Sequence, residues 1–242
     1  MKVIVTGATG VVGKEVVRQC LADPRITRLV ILTRRAVSMD VESHPKAEVV
    51  MHQDFSRYPD DLLRRLQGAS ACLWAIGGKP DQQDADKDML HRVSVEFPLA
   101  AAKAMSDAIA AKAPASASAS ASGGGASSKF NFVFFSSRST SASAPSKAAA
   151  LLFLADPRRQ RGEAEKGLCD VADANPHAFA VWILRPAAVA SSAADAAPKR
   201  RRLVGRSSSA AIDAPQLAKA AVKVALDGWK DRVVDNDALL KM

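Results

Sequence analysis

Cysteines and long apolar runs are scarce in this chain of 242 residues, and each scarcity argues against a class of protein. Cys20, Cys72 and Cys169 are far apart and form no Cys-x-x-Cys pair, so neither a disulfide framework nor a thiolate zinc site is indicated. No apolar run approaches the roughly 18 residues that a membrane-spanning helix requires. The N-terminus has neither a basic leader nor a small-residue cleavage site. We therefore expect a soluble, cytoplasmic protein with reduced thiols and no membrane partner.

Signals for metal binding and for hydrolysis are also lacking. The four histidines, His44, His52, His91 and His177, show no metal-ligand spacing. The Ser-Ser-Arg run at 136–138 lacks the flanking glycines of a nucleophile elbow. We therefore expect no metal site, and a hydrolase is disfavoured.

Positive charge is in excess, and most of the excess lies toward the C-terminus. The formal net charge is +9, and the densest basic run is KRRR at 199–202. Such a run can attract nucleic acid or an anionic ligand over long range. No aromatic residues interleave with it to stack on bases, and no known nucleic-acid-binding motif surrounds it. A solvated loop is the favoured interpretation, and nucleic acid is not an expected partner.

The composition, with 48% hydrophobic and 24% charged residues, is that of a globular protein with a substantial core. Apolar, β-branched runs alternate with segments whose apolar residues have helical spacing. The strand candidates are 2–6, 28–33, 47–51, 71–76, 130–135 and 178–184, and the helix candidates are 11–21, 60–66, 93–111, 159–174 and 215–227. Because parallel neighbours need crossover connections, this alternation predicts a doubly wound α/β fold, a parallel sheet with helices on both faces.

One segment, 113–128 (APASASASASGGGASS), interrupts the alternation. It has no large apolar side chain to offset the entropy of ordering it, so it predicts a low-complexity surface loop. A hinge between two domains is the alternative, but the sheet pattern resumes at Phe130, which favours a single domain over 1–242. Only a short region, 187–212, is left to cover a substrate. We therefore expect an open site or one completed by another chain.

Glycines at 7, 10 and 13 stand between the first strand and the first helix, in the spacing G-x-x-G-x-x-G. Gly7 permits a sharp turn, Gly10 lets backbone approach a pyrophosphate, and Gly13 lets helix and sheet pack closely. Free N–H groups at the helix start then face the phosphates. The motif predicts a Rossmann-like, dinucleotide-binding turn to which Thr9 and Val12 contribute further contacts. A glycine-rich turn of purely structural use is the alternative.

The end of the second strand, Thr33-Arg34-Arg35, bears on which dinucleotide binds. An acidic residue there accepts from ribose hydroxyls and repels a 2′-phosphate, whereas two guanidinium groups suit a phosphate. NADP(H) is therefore the predicted cofactor, with Arg34 and Arg35 on its 2′-phosphate. A pair of solvated loop arginines is the alternative.

Two further strand ends complete the predicted cofactor site. After the third strand, Asp54 is placed to accept from the adenine amino group with Phe55 beside the ring, although a helix cap or turn explains Asp54 almost as well. The fourth strand ends in Ala75, Ile76 and Gly77, a mostly small-residue segment that lets backbone pass close to the ribose and phosphates.

These motifs together resemble a known family. The runs VIVTGATGVVG, TRR, DF, WAIGG, FFSSR and LRPAAV, each at a strand end, are similar to those of atypical short-chain dehydrogenases/reductases. The greatest similarity is to the NAD(P)H-binding branch with the NmrA-like and Tat-interacting oxidoreductase-like proteins, which has many fungal members. The likeness covers most of 1–190 and about 210–228. It implies a catalytic serine after the fifth strand, matched by Ser137 or its neighbour Ser136, and a proline near the nicotinamide, matched by Pro186.

The resemblance also implies a Tyr-x-x-x-Lys pair on the following helix, and here the sequence departs from the family. Residues 157–165 (PRRQRGEAE) resemble Tyr-x-x-x-Lys-Gly-Glu-x-Glu, with Pro157 at the tyrosine position and Arg161 at the lysine position. Arg161 can keep the hydrogen bonds of the lysine to the cofactor ribose, but it is unsuited to shuttling protons. Tyr58, the chain's only tyrosine, lies far upstream.

The sequence thus predicts an NADP(H)-binding, atypical oxidoreductase of unknown small-molecule substrate, with Ser137 and Arg161 as its catalytic candidates. A catalytically silent NADPH-binding sensor or interaction protein stays open because the usual acid is missing. So does a non-redox lyase or isomerase that reuses the fold. A monomer or a homodimer is expected.

Overall fold

Parallel strand pairing organises the molecule around one sheet. The computed structural model describes residues 1–77, 87–110, 129–137, 148–191 and 210–242. The nine strands are β1 (Lys2–Thr6), β2 (Arg28–Thr33), β3 (Ala47–Met51), β4 (Ala69–Trp74), β5 (Phe130–Phe135), β6 (Phe179–Arg185), β7 (Val189–Ala190), β8 (Ile212–Asp213) and β9 (Val233–Asp235) in the described ranges. Seven of them form one parallel sheet in the order β3-β2-β1-β4-β5-β6-β9, and β7 pairs with β8 separately.

Helices connect successive strands, as parallel pairing requires. They are α1 (Val11–Ala22), α2 (Met39–Glu42), α3 (Asp60–Leu66), α4 (Lys87–His91), α5 (Phe97–Met105), α6 (Ala148–Ala174), α7 (Ala214–Asp227) and α8 (Asn236–Leu239). Two π-helical turns, Arg92–Glu96 and Ser106–Ala110, follow α4 and α5. The predicted doubly wound, Rossmann-like α/β fold is confirmed.

The sheet is buried on both faces, which explains its near-continuous apolar strands. Within β1, Val3 and Val5 point into one hydrophobic cluster and Ile4 into the other. The first of these clusters packs α1 and α7 against the sheet, and the second packs α3, α5 and α6 against the opposite face. One core therefore lies on each side of the strands.

The strand order reverses between β1 and β4, because the chain turns outward to β3 before it returns to β4. In open parallel sheets, ligands bind in the crevice outside the carboxyl ends of the strands at this reversal. Gly7 follows β1 and Ala75 follows β4, so both lie at that place.

The predicted bounds match the structure closely for β1, β2, β3, β5 and α3. Other elements differ: α6 begins at Ala148 rather than near 159, and β4 ends at Trp74 rather than at 76. The sequence did not predict the short elements α2, α4, β7, β8, β9 and α8. The predicted loop at 113–128, the basic run at 199–202 and most of the 187–212 region lie outside the described residues. In the described ranges, the helices are too short or too polar to cross a membrane.

Candidate functional site

The glycine turn is tightly packed on its inner side. Gly7 has φ +69°, and a Cβ added to it would lie 2.3 Å from the carbonyl oxygen of Ala75. A Cβ added to Gly13 would lie 2.0 Å from the carbonyl oxygen of Gly7. Both distances are far below any real contact, so these two glycines let α1 and the segment after β4 close on the turn.

Gly10 has a different environment. A Cβ added there would meet only the Gly7 carbonyl oxygen, at 3.4 Å, which is an ordinary contact. Gly10 is the N-cap of α1, and no side-chain hydrogen bond caps the helix there. The N–H groups of the first helical turn therefore have no side-chain cap, and an anion near them is favoured by the helix dipole.

The tip of β2 is joined to the glycine turn. The Nη2 atom of Arg35 donates a hydrogen bond to Thr9 Oγ1 at 2.8 Å, so one of the two predicted phosphate-binding arginines reaches the turn. The buried Thr33 hydroxyl shapes this tip by donating to the Arg35 carbonyl oxygen at 2.7 Å. The Arg34 carbonyl oxygen accepts from Gln53 Nε2 at 3.3 Å, and both arginine side chains are exposed.

An open groove of about 740 Å³ lies between α1 and the segment after β2. Thr9, Arg35 and Ser38 line it beside the turn, and Lys14 and Arg18 line it along α1. Arg18 is paired with Glu15 at 2.8 Å, and Asp40 also lines the groove. Lys14 and Arg35 leave the end of the groove nearest the turn positively charged.

Asp54 and Phe55 were predicted to meet adenine. Asp54 Oδ1 accepts hydrogen bonds from the Ser56 N–H at 3.0 Å and the Ser56 hydroxyl at 2.6 Å. These bonds lower the pKa of Asp54, and they favour the turn interpretation of this residue. The Phe55 ring is buried and packs edge-on against Trp74, with 5.8 Å between ring centroids. Contacts of either residue with adenine stay predictions.

The adjacent serines after β5 point to different partners. Ser137 Oγ accepts a hydrogen bond from Arg161 Nη1 at 2.7 Å, so the two catalytic candidates are in direct contact. Ser136 Oγ instead donates to Glu165 Oε1 at 2.5 Å. Ser137 is thus the serine that faces the position of the missing lysine.

A buried carboxylate, Glu165, lies behind these serines and was not predicted as a site residue. Arg185 donates to both of its oxygens, from Nη2 at 2.5 Å and from Nε at 3.2 Å. This contact raises the pKa of Arg185. Burial lowers the pKa of Arg161, and the charge of Glu165 partly offsets that effect. The sequence signal for Glu165 was its position four residues after Arg161, which places both on one face of α6.

The remaining predicted residues lie around the same sheet edge. Pro186 is buried at the end of β6, and the next residue is held by a hydrogen bond from its N–H to Asn236 Oδ1 at 2.9 Å. Ile76 packs against the core, and Gly77 is exposed. Val12 is half-buried against the α1 face of the sheet.

The tyrosine that the resemblance implies as the proton donor is replaced neither by Pro157, which stands at its position, nor by Tyr58. Pro157 is part of α6, and its side chain lies outside the described residues. Tyr58 packs against the ring of His52 with 5.4 Å between centroids, and burial raises the pKa of its hydroxyl well above the ordinary range. Within the described part of the chain, the Tyr58 hydroxyl makes no hydrogen bond, and so none to Ser137 or Arg161.

Comparison with known proteins identifies the family. Residues 7–158 match the model of the NAD(P)H-binding family, and the chain belongs to that family. Leucinostatins biosynthesis cluster protein T of Purpureocillium lilacinum is 32% identical over 106 residues, which are 44% of this chain and 38% of that protein. The chain therefore matches well under half the length of that relative.

Solved structures share the fold over nearly the whole chain. The oxidoreductase ylbE from Lactococcus lactis has a TM-score of 0.61 at 14% identity, covering 100% of this chain and 96% of its own. Gre2 from Candida albicans, solved in complex with NADPH, has a TM-score of 0.63 at 16% identity, covering 97% of this chain and 77% of its own. At these identities the likeness shows a shared fold.

Proposed function

We propose that this chain binds NADP(H) and acts as an atypical short-chain oxidoreductase on a small molecule. The observation that carries the proposal is the hydrogen bond from Arg35 to Thr9. It brings a guanidinium against the glycine turn at the positively charged end of the adjoining groove, which supports binding of a phosphate on the adenosine ribose there.

The residues at the turn fit such a cofactor. Gly10 has room for a ligand where a side chain would stand, and the N–H groups of α1 have no side-chain cap. Gly7 and Gly13 let the turn pack closely against its neighbours. Gly10 and the start of α1 would hold the pyrophosphate, and Arg34 and Arg35 would hold the 2′-phosphate. When bound, the nicotinamide would donate or accept a hydride. Ser137 would then orient a substrate oxygen.

The cofactor preference is tested by titrating the protein with NADPH and NADH. Arg35→Ala and Arg34→Ala should weaken NADPH binding by about tenfold to a hundredfold, because a hydrogen bond to a charged group contributes about 1.5–3 kcal/mol. NADH binding should change little. Arg28→Ala removes an exposed arginine at the opposite end of β2 and should leave both affinities unchanged. Equal losses for the two nucleotides would refute the phosphate assignment.

A second candidate function is a silent NADPH-binding sensor, and the departure at 157 and 161 favours it. Arg161 touches Ser137 but does not exchange protons near neutral pH, so a dedicated acid is missing from the described site. The two functions differ in turnover. Consumption of NADPH with a ketone, aldehyde, quinone or enone, abolished by Ser137→Ala, supports the oxidoreductase. Tight binding with no turnover across that panel supports the sensor.

A further inference from the structure

Arg161 is a cation in an unusual setting. Its side chain is half-buried, and the hydrogen bond that the structure gives it is to a neutral hydroxyl, Ser137 Oγ at 2.7 Å. In the described residues no carboxylate lies within ion-pair distance of its guanidinium. A buried charge without an ionic partner costs free energy, and a guanidinium does not escape that cost by losing its proton.

The nearest carboxylate is engaged elsewhere. Glu165 accepts from Arg185 on both oxygens and from Ser136 on one of them. Glu165 is close enough to offset part of the effect of burial on the pKa of Arg161, but in the described residues it accepts no hydrogen bond from Arg161. Asp235, which pairs with Arg185 across β6 and β9, also raises the pKa of Arg185 through its negative charge. In the described residues, the positive charge of Arg161 is therefore left with a hydrogen bond to Ser137 and without an ion pair.

The position of the Arg161 guanidinium indicates which group of a ligand it would bind. The resemblance to short-chain reductases matches Ser137 or Ser136 to the serine that orients the substrate carbonyl, and of these two hydroxyls it is Ser137 that contacts the Arg161 guanidinium. A ligand oxygen on Ser137 thus lies within reach of Arg161. The planar fork of an arginine suits two oxygens of one carboxylate better than a single carbonyl oxygen.

We propose that Arg161 and Ser137 form an oxyanion-binding pair, and that the substrate is a carbonyl compound that carries a carboxylate, an oxo acid. Its carboxylate binds Arg161 and its carbonyl oxygen meets Ser137. The inference rests on the proposed function, since it takes the end of β5 as the substrate site. The phosphates of the cofactor offer the same oxyanion chemistry, so the experiment separates these two sources.

The test measures binding by calorimetry to the full chain saturated with NADP⁺. The probes are matched pairs of an oxo acid and its amide: pyruvate with pyruvamide, acetoacetate with acetoacetamide, and levulinate with levulinamide. At least one acid should bind about tenfold or more tightly than its amide, because the amide keeps the carbonyl and loses the charge. Arg161→Gln should abolish that difference, and Arg161→Lys should retain part of it.

Arg159→Gln is the matched control, since Arg159 is an exposed arginine on the same helix. It should leave the preference for the acid intact. Equal binding of acid and amide in all three pairs, or a preference that survives Arg161→Gln, overturns the proposal. If Arg161→Gln does not fold, a preference that is undiminished in Arg161→Lys and Ser137→Ala overturns it as well.

Titration with NADPH alone separates this inference from the proposed function. Failure of the chain to bind NADPH refutes the proposed function, whatever the acids do. Normal NADPH binding without a preference for acids refutes the oxo-acid substrate alone. A tenfold loss of NADPH affinity in Arg161→Gln, with acid and amide still distinguished, assigns the guanidinium to the phosphates of the cofactor and overturns the inference.

Discussion

Gly10 and Gly13 belong to one turn, but they differ in the space available for a side chain. A Cβ at Gly13 would stand 2.0 Å from a backbone oxygen that cannot move without moving the turn, whereas a Cβ at Gly10 would meet the same oxygen at 3.4 Å. A glycine at position 13 is therefore required by the packing of the fold. Gly10 is free of that constraint, and in the proposed function its open face is where the pyrophosphate approaches.

This contrast predicts that substitution by alanine affects mainly stability at position 13 and mainly NADPH binding at position 10. Gly13→Ala should lower the free energy of unfolding by about 1–3 kcal/mol or more, as overpacking does. Gly10→Ala should change it by less than about 1 kcal/mol, because its φ of −80° suits alanine. Yet Gly10→Ala should weaken NADPH binding about tenfold, because its methyl group would occupy the side where the pyrophosphate approaches.

Urea unfolding and nucleotide titration on the same two variants measure both effects. Undiminished NADPH affinity in Gly10→Ala would show that the turn does not contact the pyrophosphate. Unchanged stability in Gly13→Ala would show that the turn has room that the structure denies it.

Residue-level prediction from sequence is possible where the surroundings of a residue follow from the local sequence. Gly7, Gly10 and Gly13 were assigned from their spacing after a strand, and Ser137 and Arg161 from the motifs that carry them. Glu165 was missed because its main partner, Arg185, comes from a strand tip 20 residues away. Their contact depends on how α6 packs against the sheet, which neither segment encodes by itself.

At the scale of elements, Glu165 joins helix α6 to two strands. It accepts from Ser136 after β5 and from Arg185 at the end of β6, and it is buried. Both catalytic candidates sit on the elements that this residue connects. The spacing of Ser137 and Arg161 therefore depends on a carboxylate that touches neither of them through a hydrogen bond in the described site.

We expect Glu165→Gln to lower the free energy of unfolding by about 3 kcal/mol, because it leaves Arg185 largely buried without its ionic partner. Glu163→Gln is the matched control on the same helix. Its side chain is half exposed, so its effect should stay within about 0.5 kcal/mol. Chemical denaturation of both variants measures the difference. Equal stabilities would mean that the Glu165–Arg185 pair does not hold α6 in place.

Element prediction was accurate where apolar periodicity was strong and failed where it was interrupted. Alternation of buried strands and helices gave β1, β2, β3 and β5 their bounds. The start of α6 was missed because Pro157 lies inside it, and a proline in a helix interior ordinarily costs about 3 kcal/mol. β9 has three residues, too few to show a period, and it is defined by pairing with β6.

At the scale of the whole molecule, the free energy of unfolding depends on pH through a buried thiol in each of the two hydrophobic cores. Cys20 lies in the core on the α1 side of the sheet, and Cys72 lies in the core on the other side. Burial raises the pKa of Cys20 to about 12, and it raises the pKa of Cys72 further still. In the unfolded chain both thiols would ionise near their ordinary pKa of about 8.5.

Above about pH 8.5 the unfolded chain therefore binds fewer protons than the native protein, so stability falls as pH rises, by up to about 1.4 kcal/mol per pH unit for each thiol. Below that pH both thiols are protonated in both states, and their contribution is complete and constant. Urea unfolding at a series of pH values from neutrality to about pH 10.5 should show this decline. Cys20→Ala and Cys72→Ala should each reduce the slope by about one thiol's share, although the cavity each leaves lowers stability at every pH. A slope unchanged in both variants would mean that neither core thiol is linked to unfolding, and that the alkaline loss comes from Tyr58 and other groups that ionise at higher pH.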